Sequence, residues 1–227
     1  INSYLITLLI SLFLGSTFYF VGRNHYKDIS LSEQIIFILL AFIFLPFLIA
    51  IPYFSSIYGI SFLNAYFESI SGFTTTGFSI VQNINDIDEP LMLWRSSSQW
   101  IGGLLFIVIV IGTIGSKQIK IKPAYLLSGG ASGRNFYNNF NSNFIKIFLI
   151  YFITTIFIIF LYTLIDLRLL DAVNLSLTAI SSGGFIPDNN LSKILLNNIQ
   201  IFVFAMILFF PIFNFFLSYD IITRKFL

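Results

Sequence analysis

Between two apolar runs, residues 35–54 and 91–114, the chain places a polar run, Thr74-Thr75-Thr76-Gly77. A helix rises about 1.5 Å per residue, so about twenty apolar residues cross a hydrocarbon core of about 30 Å. Hydroxyls and a glycine turn do not belong in hydrocarbon. Backbone that is neither helix nor strand persists at membrane depth only where protein buries it or where it lines a water-filled path. A Thr-rich turn that ends in glycine between two spans therefore reads as a pore loop, whose carbonyls and hydroxyls replace the water shell of a small cation.

Composition agrees on the class. Hydrophobic residues make up 57% of the 227 and charged residues 10%, against about 45–50% and about 25% in ordinary globular domains. The expected fold is an all-α integral membrane protein with the lipid bilayer as its surroundings. A formal charge of +2 is too small to suggest a nucleic-acid partner. The chain has no cysteine, which excludes disulfides, thiolate metal sites and cysteine nucleophiles. The single His25, between Arg23 and Lys27 in a polar connector, reads as a solvated loop residue, because a metal site needs further ligands.

Taken in order, residues 3–21 form a leading span within 1–22. A polar connector with Ser30 as a helix N-cap follows, then a span over 35–54 that carries Pro46. Residues 60–72 are too short to cross, so they read as a half-helix that dips in and stops at the Thr run. The chain returns through 81–90, with Asp86, Asp88 and Glu89, into a span over 91–114 whose Gly102-Gly103 suits close helix contact. A loop over 115–143 holds Lys117, Lys120, Lys122 and Arg134; its Ser128–Gly133 stretch lacks the Gly-Lys-Ser/Thr of a phosphate loop and reads as a linker. A span over 144–165, a second half-helix over 169–180 and a second turn, Ser181-Ser182-Gly183-Gly184-Phe185, lead to a last span over 199–222 interrupted by Pro211 and Asn214. The chain opens on Ile1 and stops just past a span, so both ends are expected to be cut ends of a longer protein.

Nine of the twelve Lys and Arg residues, Arg23, Lys27, Lys117, Lys120, Lys122, Arg134, Lys146, Arg224 and Lys225, fall on one side of these spans. That side is expected to be cytoplasmic, with both polar turns opening outward. Sliding the chain by 107 positions puts Gly77 on Gly184, Phe78 on Phe185, Ala65 on Ala172, Ser69 on Ser176 and Ser71 on Thr178. The order of span, half-helix, turn and span repeats with them. The expected domains are the leading helix 1–22, a unit over 35–114, a cytoplasmic linker over 115–143 and a second unit over 144–224.

The stretches SGFTTTGFS, LWRSSSQWIGGL and DAVNLSLTAISSGGF, in this order and spacing, resemble the membrane subunit of Trk/Ktr-type potassium uptake systems over residues 32–224. The resemblance implies tandem membrane-helix, pore-loop, membrane-helix repeats of potassium-channel type, four to a chain, of which this sequence would hold the first two. It implies K+ as the transported ion with no organic cofactor and no enzymatic activity. The partners implied are pore units three and four of the same protein, a homodimeric partner copy and a cytosolic nucleotide-binding regulatory ring facing the basic loop. The location implied is the inner, or plasma, membrane.

Glycine adopts backbone angles closed to other residues, which lets consecutive carbonyls face one axis. The expected ion ligands are the carbonyls of Thr75, Thr76 and Gly77 and of Ser182, Gly183 and Gly184, supported by Thr74, Phe78, Glu68, Ser181 and Phe185. Two roles stand open for Glu68, holding the turn or touching the ion; an ionisable group at membrane depth is functional by default. Asp171 is expected as a helix N-cap. Arg95 reads as a counter-charge to Glu68 or Asp88, or as an interfacial snorkelling residue, and Trp94 and Trp100 as lipid-facing or packing residues. Other readings of the whole chain are a non-selective or Na+-conducting permease, a non-catalytic assembly subunit, or an intramembrane serine protease. The last would need a base beside a serine within a span, and the spans hold no such pair.

Overall fold

A computed structural model of the protein describes residues 2–23, 31–57, 59–114 and 133–214. Among these the chain is all helical. Seven α-helices follow one another: α1 (Asn2–Gly22), α2 (Leu31–Ser56), α3 (Phe62–Phe73), α4 (Glu89–Ile114), α5 (Gly133–Leu164), α6 (Leu169–Ser181) and α7 (Asn198–Ile207). Single 3-10 turns stand at Ile84–Asp86 and Leu191–Lys193. Four helices, α1, α2, α4 and α5, are long and apolar enough to cross a membrane, matching four of the five predicted spans; the fifth, over 199–222, is described only as far as Asn214, as a shorter apolar helix. Expectations placed on Ser30, His25, most of the 115–143 loop and residues 215–224 lie outside the described residues.

α2 runs through both Pro46 and Pro52. A proline removes the N–H that would bond the carbonyl four residues back and crowds that turn, and at both sites a neighbouring helix donates to the next carbonyl of the same turn. Tyr66 Oη of α3 donates to the carbonyl of Ile43 at 2.9 Å, three residues before Pro46; Trp94 Nε1 of α4 donates to that of Ile49 at 3.0 Å, three before Pro52. Trp100 Nε1 likewise reaches Thr155 Oγ1 of α5 at 2.9 Å. Both tryptophans are thus interhelical donors.

Two boundaries differ from expectation. α5 begins at Gly133, not at residue 144. The Asn-rich stretch before Phe144 reads as loop because it is polar, but polarity decides where a segment can sit, and a helix leaving the membrane satisfies its own backbone in either medium. α7 tightens after Ile207: Phe209 N bonds Met206 O and Ile212 N bonds Phe209 O, i to i−3 pairings that accommodate Pro211, before helix resumes up to Asn214.

α4 stands at the centre and packs against α2, α3, α5 and α6. One buried cluster (Ala50, Tyr53, Ala65, Ile87, Leu91) joins α2 and α3 to the start of α4, and a larger one joins the rest of α4 to α5, α6 and α7. Gly102 and Gly103 let α4 touch both short helices. A Cβ on Gly102 would lie 1.8 Å from the carbonyl oxygen of Phe73 at the end of α3, and one on Gly103 would lie 2.8 Å from Ser181 Cβ at the end of α6.

Candidate ion-binding site

α3 starts on Ser61, whose side chain accepts from Asn64 N at 3.2 Å, and ends at Phe73. Its last turn gives way to Thr74–Ser79, with Thr75 at φ 57° and Gly77 at φ 80°. α6 ends at Ser181 and gives way to Ser182 at φ 56° and Gly184 at φ 84°. The 107-residue offset maps each of these four positions onto its counterpart, and the bonds follow. Thr76 N donates to Ser71 O and Gly183 N to Thr178 O, both at 2.9 Å. Deeper in the two helices, Ser69 Oγ donates to Ala65 O at 2.7 Å and Ser176 Oγ to Ala172 O at 2.6 Å. Left-handed backbone costs an L-residue roughly 1–2 kcal/mol, met here by a Schellman-type cap at each helix end, Thr75 N donating to Gly72 O and Ser182 N to Ala179 O beside the bonds of Thr76 N and Gly183 N above. The left-handed backbone recurs at equivalent non-glycine residues, Thr75 and Ser182.

The two turns touch. A Cβ on Gly77 would stand 2.1 Å from the Gly183 carbonyl oxygen. The C-terminal, negative ends of the α3 and α6 dipoles both reach this contact. Thr75, Ser181 and Ser182 border a cavity of about 370 Å³ whose remaining wall is Gly103, Phe106, Ile107, Ile180, Pro211 and Ile212. Among the described residues no cluster of His, Cys, Asp or Glu has metal-site composition, so the oxygens available to a cation there are carbonyls and hydroxyls.

Each turn is held from behind, by different chemistry. At the first, Glu68 is completely buried and accepts from Ser79 Oγ at 2.8 Å, Ile80 N at 3.0 Å, and Arg95 Nε and Nη2 at 3.0 and 2.8 Å. Arg95 Nη2 also donates to Ser79 Oγ at 2.9 Å. Of the two roles open to Glu68 the described contacts are those of a brace, and Arg95 is its counter-charge rather than that of Asp88 or a snorkelling cation. Ser71 Oγ donates to Phe78 O at 2.6 Å, and the hydroxyls of Thr74 and Thr76 pair at 2.7 Å. At the second turn the brace is Gln99 of α4. Its Nε2 donates to Gly183 O at 2.6 Å, and its Oε1 accepts from Phe185 N at 3.2 Å and from the Thr178 hydroxyl. One lone pair of the Gly183 carbonyl is therefore engaged by protein.

Phe185 and Phe78, equivalent in the repeat, differ: Phe185 is 2% exposed beneath the Arg95 guanidinium, 4.2 Å from its ring centroid, whereas Phe78 is 70% exposed. Ser181 Oγ bonds back to Leu177 O and Thr178 O within its own helix. Asp171 is not the N-cap of α6. That position is Arg168, and Asp171 stands in the first turn, where its charge still complements the helix dipole. Sequence reasoning gave Gln99 no role. The available signal was a primary amide inside a span, one turn after Arg95, since a buried amide must find partners.

Comparison with known proteins bears on what this arrangement belongs to. The chain is 32% identical over 211 residues to an uncharacterized cation transporter of Methanocaldococcus jannaschii, covering 88% of this chain and 43% of that protein. Trk system potassium uptake protein TrkG of Escherichia coli is 24% identical over 225 residues, 98% of this chain and 46% of its own. The chain is a relative of the Trk-type potassium transporter membrane subunits. A third such relative, Trk system potassium uptake protein TrkH of Vibrio parahaemolyticus, is 25% identical over 187 residues, 79% of this chain and 38% of its own. The Trk relative described here thus spans less than half the length of these proteins. No family model matches the chain.

Proposed function

We propose that this protein carries K+ across a membrane through a channel-like filter built from backbone carbonyls. The ligands are the carbonyls of Thr75, Thr76 and Gly77 in one turn and of Ser182, Gly183 and Gly184 in the other. The observation that carries this reading is the recurrence of the same backbone at an offset of 107, φ 57° and 80° against 56° and 84°, at the ends of two half-helices whose turns abut. Two equivalent turns in contact are what a pseudo-symmetric ring around an ion needs, and carbonyl oxygens are the ligands that replace a K+ hydration shell.

In this reading residues 35–114 and 144–224 are the first two of four membrane-helix, pore-loop, membrane-helix units, with 1–22 as a leading helix. The unequal burial of Phe78 and Phe185 supports further units. α4 of the first unit covers Phe185 of the second, so Phe78 takes its cover from the inner helix of a unit that closes the ring. Basic loops face the cytoplasm, where 115–143 meets a nucleotide-binding regulatory ring, and the whole sits in the plasma membrane as a homodimer.

The test is uptake of K+ and Na+ by a strain lacking its own K+ uptake systems, expressing the full-length protein or its Gly77→Ser variant. A Cβ at Gly77 meets both a φ of 80° and the Gly183 oxygen 2.1 Å away. The K+/Na+ uptake ratio per folded molecule is expected to fall by about tenfold, the equivalent of about 1.4 kcal/mol of misplaced coordination. A ratio equal to wild type in correctly folded Gly77→Ser would refute the filter.

A further inference from the structure

Gln99 is fully buried and sits on α4, the inner helix of the first unit, yet every hydrogen bond the structure gives its side chain goes to the second. The three partners, Thr178, Gly183 and Phe185, are the last turn of α6, the middle of the polar turn and the first residue beyond it. One planar amide thus spans the whole bend from behind. We propose that Gln99 is a specificity-determining positioning residue, which locks the Gly183 peptide and so sets the cation selectivity of both turns. This rests on the reading of the turns as an ion path.

Gly183 itself supplies the first argument. Unlike Gly77 and Gly184, it does not have a positive φ, so backbone conformation does not require glycine there. What occupies the place of a side chain there is Gln99: a Cβ on Gly183 would lie 2.3 to 2.7 Å from its amide carbon, oxygen and nitrogen and would displace that amide from its three partners. Amide and glycine form one device. The second argument is transmission. The oxygen held by Gln99 Nε2 is the atom on which Gly77 of the first turn rests, so a flip of the Gly183 peptide would move both turns together.

The third argument is placement on α4. Arg95, one helical turn before Gln99, braces the first turn through Glu68 and Ser79 while its guanidinium covers Phe185 of the second. One face of one helix therefore backs both bends. A carbonyl whose oxygen is held through one lone pair keeps its dipole direction, and a cage that keeps its dimensions discriminates against a smaller cation that would need it to contract.

The experiment compares K+/Na+ uptake ratios per folded molecule, in the full-length protein, for Gln99→Met, Ser96→Ala and Gly77→Ser. Methionine keeps the volume of glutamine and removes its polar atoms. Ser96→Ala cuts a buried bond from α4 to Asn174 of α6, 2.7 Å in length, without touching either turn. Gln99→Met is expected to lower the ratio about three- to tenfold, since it leaves a donor and two other polar groups unpaired behind the turn, while Ser96→Ala keeps the wild-type ratio. Should Gln99→Met fail to fold, Thr178→Val removes only the hydroxyl that anchors Oε1 and is read in the same way, with a smaller fall expected. A wild-type ratio in the folded Gln99 or Thr178 variant, beside a lowered one in Gly77→Ser, overturns the role of Gln99 alone. An unchanged ratio in Gly77→Ser as well overturns the ion path with it, and an equal fall in Ser96→Ala shows general loosening and overturns the positioning role.

Discussion

The buried pair Glu68–Arg95 illustrates how much depends on single residues here. Two charges out of water are tolerated because every oxygen of Glu68 is met: one by the guanidinium and Ser79, the other by the backbone N–H of Ile80. Removing one partner strands the other. Glu68→Gln or Arg95→Met alone is expected to destabilise the protein by about 3–5 kcal/mol, and the double variant by less than either single, because it leaves no unpaired charge. Reversible unfolding in mixed micelles measures all three. Gly77 and Gly184, alike in φ, separate by their surroundings: a Cβ on Gly184 meets no heavy atom within 4 Å. Gly184→Ala is therefore expected to perturb the K+/Na+ ratio less than Gly77→Ala, which adds a collision with Gly183 to the same backbone strain.

Among the elements, α2 and α4 do opposite work. α2 is apolar and carries two prolines, and its continuity is shared with neighbours that donate to carbonyls loosened ahead of each proline. Tyr66→Phe removes one such donor and little else. It is expected to cost about 0.6 kcal/mol, the average for a hydrogen bond between membrane helices, with Trp94→Phe costing more because indole packing is lost too. The same micelle unfolding experiment ranks them. α4 instead carries the polar side chains, Arg95, Ser96 and Gln99, and the two glycines, so it is the element through which the short helices α3 and α6 are placed relative to each other.

For the whole molecule the prediction concerns sidedness. In the proposed reading, the split of basic residues puts the 115–143 stretch in the cytoplasm and the segments that follow each turn outside. The two segments are joined, Ile84 N donating to Asn189 Oδ1 at 2.8 Å and Asn189 Nδ2 to Asn83 Oδ1 at 2.6 Å, and Arg168 at the start of α6 pairs with Glu89 at the start of α4. In this cysteine-free chain, single cysteines at Ser192 and Ser132 are expected to react differently with an impermeant thiol reagent on intact cells, the first labelled and the second protected. Labelling of position 132 alone would invert the topology.

Hydropathy and length, which are local, were enough to read four of the five expected spans, the two short helices α3 and α6 and the turns at their ends, because in lipid a segment's own backbone must be satisfied before any partner arrives. The glycines at 77 and 184 and the offset of 107 were legible for the same reason. Other features were not. Composition did not reveal that Thr75 and Ser182 take a left-handed backbone, since that position of a helix cap is usually glycine. Nothing local says that Glu68 chooses Arg95, that Gln99 reaches across into the second turn, or that Phe185 is covered while Phe78 is not. Those choices depend on where α4 crosses two other helices. A crossing is set by side-chain volume and by the close approach at Gly102 and Gly103, quantities that belong to pairs of elements and exist only once the chain has packed.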